Sequence, residues 1–232
     1  MRVKKQFNKY AKEYEKYSII QQSGVEELIK ILPSNIGRVL DLGCGSGRVY
    51  KELIKNNIEF KEFVGVDFSP KMLELHPKAK GVVLMEGDFN NKELFESFKR
   101  FDYIISASSL QWAKDIDFTF EEISKKSDNV AFFIFCSNTF KTIHQIANIS
   151  SPIYSKNKII SSFEKFFNIE IIKELDYKLE FENTLNMLRY IKQSGVSGGG
   201  MGLSIKEIKK IINSYPYNYL EFETILLKGK SR

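Results

Sequence analysis

The stretch Arg38-Val-Leu-Asp-Leu-Gly-Cys-Gly-Ser-Gly47 constrains the fold more than any other part of this chain. Its first half is short, apolar and β-branched, which suits a strand buried on both faces of a parallel sheet. It passes directly into Gly43-x-Gly45-x-Gly47, and Val49, Leu53 and Ile54 then follow at helical spacing. A strand, a glycine turn and a helix in that order bring backbone N–H groups to a ligand with no Cβ in the way. Asp41 would end the strand with its carboxylate aimed across the turn. A dinucleotide fingerprint would need glycine at the position of Arg48. A plain tight strand-to-helix turn would use the same glycines, so the loop alone does not settle the ligand.

Two further strand ends add to it. Phe63-Val-Gly-Val-Asp67 is another buried-strand run closing on an acid, about twenty residues past the glycine loop. A doubly wound sheet places there the carboxylate that accepts ribose hydroxyls. Each such charge-assisted hydrogen bond contributes about 1.5–3 kcal/mol. Phe68 follows, and Ser69-Pro70 supplies an N-cap with proline at the first helical position. A third strand, residues 82–85, leads into Glu86-Gly-Asp88-Phe89. An acid capping a surface turn is the plainer reading of each, and three matched strand ends outweigh it. The expected fold is α/β and Rossmann-like: a mostly parallel twisted sheet with helices on both faces.

Composition narrows the function. At 232 residues the chain suits one α/β domain with N-terminal helices over residues 1–32 and a helical lid over 182–215. No run approaches the ~18 apolar residues of a membrane span, and the charged opening has no secretory h-region. Cys44 and Cys136 fall in strand contexts and read as core thiols of a reducing compartment, so a cytoplasmic protein is expected. His76 and His144 stand apart from any cluster at ligand spacing, so no metal site is expected. The net charge of +6 is uneven, since residues 1–16 carry six Lys/Arg against two Glu. No aromatic–basic stacking motif accompanies them, which argues against nucleic acid. A solvated helix face is one reading of these lysines, and a face for an acidic protein partner is the other.

Along the rest of the chain, Val3, Phe7, Tyr10, Tyr14 and Tyr17 share one helical stripe. Val25, Leu28, Ile29 and Leu32 mark a second helical stretch that stops before Pro33. Phe101 to Ser106 is the fourth strand, and its exit Ala107-Ser-Ser-Leu-Gln-Trp112 should face the reacting groups. Trp112 is either a core plug or a π wall over a cation. The fifth strand, 130–136, leads to a helix at 141–147, and residues 150–157 look like a loop. A helical stretch carries Ile159, Ile160, Phe163, Phe166 and Phe167. Residues 169–175 and 177–181 read as two strands with a bend between them. Asn183 or Thr184 caps a helix running to Ser194, with Gly195 as its stop. Ser204-Ile-Lys-Glu207 is a capping box for the next helix, and 219–228 alternates as a strand.

The G-x-G-x-G spacing resembles the first motif of class I S-adenosylmethionine-dependent methyltransferases, a resemblance that implies antiparallel insertion of the strand at 219–228 in the sheet. More specifically, the chain resembles the malonyl-acyl-carrier-protein O-methyltransferases of biotin biosynthesis. Phe7-Asn-Lys-Tyr-Ala-Lys-Glu-Tyr14 with Gln21, then Gln111-Trp112, then Ser137-Asn-Thr-Phe140, and Leu188-Arg-Tyr-Ile-Lys-Gln-Ser-Gly195 carry that likeness. Ala107, where the family often has Asn, Val196 after Gly195, and the triplet at 198–200 depart from it. The resemblance implies that Gln21, Asp41, Gly43, Cys44, Gly45, Asp67, Phe68, Met72, Asp88, Phe89 and Ser106 hold S-adenosylmethionine. Asp88 would meet the adenine amino group and Phe89 would cover the ring. It also implies that Tyr14, Gln111, Trp112 and Arg189 meet the substrate, a malonyl thioester on an acidic acyl carrier protein.

Arg189 is the arginine left once the others are placed. Arg2 and Arg232 are terminal, Arg38 and Arg100 lie at the wrong end of the sheet, and Arg48 is expected to face solvent. A helix-face arginine snorkelling over Leu185, Leu188 and Ile191 is the alternative reading. A methyltransferase for another small acceptor, and a cofactor-binding scaffold without turnover, are the competing functions.

Overall fold

A computed structural model describes residues 17–193 and 202–232. The aromatic stripe through Tyr14, the N-terminal lysines, Gly195 and the triplet at 198–200 lie outside the described residues.

Helix α1 (Ile19–Lys30) precedes β1 (Arg38–Leu42), α2 (Arg48–Lys55), β2 (Glu62–Asp67), α3 (Pro70–Leu75), β3 (Val82–Glu86) and α4 (Lys92–Glu96). Then come β4 (Tyr103–Ala107), a 3-10 turn at Leu110–Trp112, α5 (Ile116–Ser124), β5 (Asn129–Phe135), α6 (Lys141–Ala147) and α7 (Lys156–Phe163). The chain closes with β6 (Phe167–Glu180), α8 (Thr184–Gln193), α9 (Ile205–Ser214) and β7 (Tyr219–Ser231). The strands form one sheet in the order β3-β2-β1-β4-β5-β7-β6. The first five are parallel, whereas β7 inserts antiparallel between β5 and β6. This is the Rossmann-like arrangement expected from the βα repeat, with the antiparallel strand that the resemblance implies.

Alternation along the strands divides the core in two. Val39, Phe63, Ile105, Phe133 and Phe222 face one layer with α1, α2, α6, α8 and α9. Leu40, Val64, Ile104, Phe132 and Ile225 face the other with α5 and α7. Helices cover β1 on both sides, so residues 39–42 are all buried, three of them apolar and the fourth the carboxyl of Asp41. Helix α1 lies close on the sheet at Gly24, where an added Cβ would stand 2.2 Å from the Phe133 ring.

Several boundaries differ from expectation. Residues 167–180 form one strand, with no bend at Asp176, because pairing to β7 runs unbroken from Ile171↔Lys228 to Glu180↔Tyr219. The irregularity falls earlier, between Ile169 and Ile171. Phe166 and Phe167 lie beyond the end of α7, and Phe167 is recruited into β6. The loop at 150–157 gives way to helix at Lys156, with the Ser155 hydroxyl accepting the Lys158 N–H. The capping box at Ser204 and Glu207 forms as its sequence indicates, and the Asn183 side chain accepts the Asn186 N–H at 2.9 Å.

Candidate active site

Because β1 and β4 are neighbours, the sheet order reverses between them, and loops leaving their carboxyl ends diverge to leave a crevice. A cavity of about 750 Å3 opens there, within the roughly 300–1,000 Å3 range of small-molecule sites. The glycine loop forms one wall. Gly43, Gly45 and Gly47 all have positive φ, at +77°, +53° and +85°. The N–H groups of Gly43 and Cys44 both donate to the Val66 carbonyl, at 2.7 and 3.0 Å. A Cβ on Gly43 would stand 2.3 Å from the Ser109 side chain, so the loop packs closely on the β4 exit.

Asp67 closes β2 and ties this wall together. One of its oxygens accepts the Gly45 N–H at 3.0 Å and the other accepts the Ser69 N–H at 2.8 Å. The Ser69 hydroxyl in turn accepts the Met72 N–H. At the end of β3, Asp88 accepts the backbone N–H and side-chain amide of Asn90, at 2.9 and 2.7 Å. The Asn90 side-chain oxygen then accepts the Lys114 N–H at 2.7 Å, joining the β3 and β4 loops across the cavity.

Ten of the residues singled out in the sequence line this cavity: Gln21, Gly43, Cys44, Gly45, Asp67, Phe68, Met72, Asp88, Phe89 and Trp112. Four do not. Asp41 is fully buried beneath the loop, and neither of its oxygens has a hydrogen-bond partner among the described residues. Burial, then the charge of Asp67, pushes its carboxyl well above the usual range. Ser106 is also fully buried, its hydroxyl donating to the Leu42 carbonyl at 2.7 Å. The Gln111 amide donates to the Ser108 carbonyl at 2.7 Å, so it props the β4 exit from behind. Arg189 is exposed on α8, with its guanidinium on Asn186. Tyr14 lies outside the described residues.

Several lining residues carried no clear signal in the sequence. Arg48 turns inward rather than to solvent, donating to the Ser18 carbonyl at 2.7 Å and to its hydroxyl. Asn90 and Lys114 also line the cavity, beside Ser108 and Ser109 of the exit loop expected to face the reacting groups. Ser108 takes a positive φ of 62°, held by its N–H donating to the Phe133 carbonyl at 2.8 Å. The walls therefore combine apolar surface (Val66, Phe68, Met72, Phe89) with carboxylates at two strand ends, and the orphaned Asp41 carboxyl lies behind the loop. That set fits an adenosyl ligand bearing positive charge. No group of His, Cys, Asp and Glu suited to a metal ion occurs among the described residues.

A family described as a methyltransferase domain matches residues 40–126. The malonyl-[acyl-carrier protein] O-methyltransferase of Calditerrivibrio nitroreducens is 25% identical over 201 residues, covering 84% of this chain and 79% of that protein. The protein of the same name from Bacteroides thetaiotaomicron is 24% identical over 206 residues, covering 84% and 77%. Among solved structures, YcgJ from Bacillus subtilis superposes with a TM-score of 0.66 at 14% identity, over 90% of this chain and 98% of that one. That likeness is one of fold.

Proposed function

Since the chain is a class I S-adenosylmethionine-dependent methyltransferase, we propose that it methylates the free carboxylate of a malonyl thioester carried by an acidic acyl carrier protein. The observation that carries the reading is the convergence of the β1, β2, β3 and β4 exits on one cavity, in a chain whose curated relatives bear that activity in their names.

Bound there, S-adenosylmethionine supplies an electrophilic methyl group on a cationic sulfur. Asp67, at the cavity wall and held in place by the N–H groups of Gly45 and Ser69, holds the ribose hydroxyls. Asp88 takes the adenine amino group, while Phe68, Met72 and Phe89 enclose the ring and exclude water. Trp112, half-buried at the β4 exit, offers a π face to positive charge. A malonyl carboxylate is ionised at neutral pH, so the acceptor needs no general base. Alignment and dehydration provide the acceleration, for which proximity can supply about 7–11 kcal/mol. Lys114, exposed at the cavity near Trp112, is the cation that steers the acceptor carboxylate in place of Arg189.

Mass spectrometry of malonyl carrier protein incubated with enzyme and cofactor tests the reading. Addition of one methyl group, absent with an acetyl thioester that lacks the carboxylate, is the expected result. Methylation of a different acceptor in a substrate panel, with malonyl thioesters untouched, would overturn it.

A further inference from the structure

Helices α8 and α9 both lie at the end of the sheet where the cavity opens. β6 is antiparallel to β7, which is antiparallel to β5, so β6 runs with the parallel strands and finishes at their carboxyl end. Helix α8 leaves from that end of β6, and α9 leads into the start of β7 opposite it, at Tyr219↔Glu180. Helix α9 packs against α6 and α8, anchored by Ile211, which is fully buried. Its other side has no partner among the described residues. Ile205 and Ile212, two turns apart, are 76% and 41% exposed, with Lys206, Lys209 and Lys210 exposed around them. Helix α8 repeats the pattern: Leu185 is 47% exposed, next to exposed Arg189 and Lys192.

None of these three α9 lysines forms an ion pair among the described residues. The two helices carry five cations and one acid, Glu207. That carboxylate is occupied in accepting the Ser204 N–H at 2.6 Å. Aliphatic side chains ringed by unpaired cations match a partner that presents apolar contacts among acidic ones. We propose that the exposed face of α8 and α9 is the docking surface for the acidic carrier protein, setting the thioester arm at the cavity mouth. The proposal rests on the carrier reading above and adds to it the place where the carrier sits. The exposed position of Arg189 follows naturally: it meets the carrier's surface and not the reacting carboxylate.

The test uses the full chain with Lys206→Glu, Lys209→Glu and Lys210→Glu combined, and separately Ile205→Ser. Titration with carrier protein lacking any acyl group reads docking independently of turnover. The triple variant should weaken carrier binding at least about tenfold, with the parental affinity itself falling as salt is added. Its S-adenosylmethionine affinity and its rate on malonyl-coenzyme A, which offers the same carboxylate without the protein, should stay within about twofold of parental. Ile205→Ser should weaken the carrier alone with little change in salt dependence.

Unchanged carrier affinity in the triple variant overturns the assignment. So does loss of carrier binding on reversing Lys4, Lys5, Lys9 and Lys12 while the triple variant binds normally. Parental protein that sediments with anionic phospholipid vesicles through these lysines, and ignores the carrier, also overturns it. If the parental chain methylates neither malonyl thioester, the proposed reaction fails, and the carrier titration still decides the surface.

Discussion

Asp67 does two things with one carboxylate. It fixes the glycine loop and the start of α3 through the N–H groups of Gly45 and Ser69, and in the proposed function it also meets the ribose hydroxyls. Asp67→Ala should therefore weaken S-adenosylmethionine binding by one or more orders of magnitude in calorimetry. It should also lower stability by about 1–3 kcal/mol, because two inward-pointing donors lose their acceptor. A variant that melts early yet binds the cofactor with parental affinity would leave Asp67 a purely structural role. Lys114 is placed differently, since it lies at the rim and ties no loop with its ammonium group. Lys114→Ala should leave cofactor affinity unchanged and reduce kcat/KM for the malonyl substrate about tenfold or more. Arg189→Lys should keep kcat near parental. Steady-state kinetics on malonyl-coenzyme A separates the two residues.

At the scale of the element, the site is a packing of loops against each other. The β1 exit and the β4 exit are joined where Ser106 and Ser109 both donate to the Leu42 carbonyl at 2.7 Å. Gly43→Ala would drive a methyl group into Ser109 at a φ that side chains avoid. Cofactor affinity and melting temperature should both fall, and Ser109→Gly in the same chain should restore part of the affinity by removing the clash. Helix α1 depends on the same kind of contact at Gly24, against Phe133. Gly24→Ala should cost about 1–3 kcal/mol, the usual range for overpacking, measurable by urea denaturation. No destabilisation there would mean that α1 can shift away from the sheet without loss.

For the whole molecule, buried ionisable groups set how stability varies with pH. His76 and His144 are buried, and that burial holds both below the ordinary imidazole value. The unfolded chain takes up protons near pH 6.5 while the native one resists them, so stability is lost as pH falls from about 7 to 5. Asp41 acts in the opposite sense. Its folded carboxyl is raised, so the unfolded chain releases the proton first and stability declines as pH rises above about 4. His144→Gln should flatten the acid side of a melting-temperature profile, whereas Asp41→Asn should raise melting temperatures near neutrality and leave those near pH 4 unchanged. If Asp41→Asn melts lower at pH 7, the buried carboxyl has a partner that the amide cannot replace.

These scales also divide what the sequence determined from what it could not. Strand, glycine turn and helix, the acids at the ends of β2 and near β3, and the capping box of α9 are set by residues within a few positions of one another. Local periodicity and backbone preference suffice for those. Which side chains face the cavity is decided elsewhere. Ser106 and Gln111 look like site residues in the sequence but donate to the Leu42 and Ser108 carbonyls. Arg48 reaches back to Ser18, and Asn90 meets Lys114. Apart from the local bond of Gln111, these contacts join residues 24 to 64 positions apart. They exist because β4 lies against β1 and α1 lies against α2, adjacencies that tertiary packing creates and that no local pattern contains.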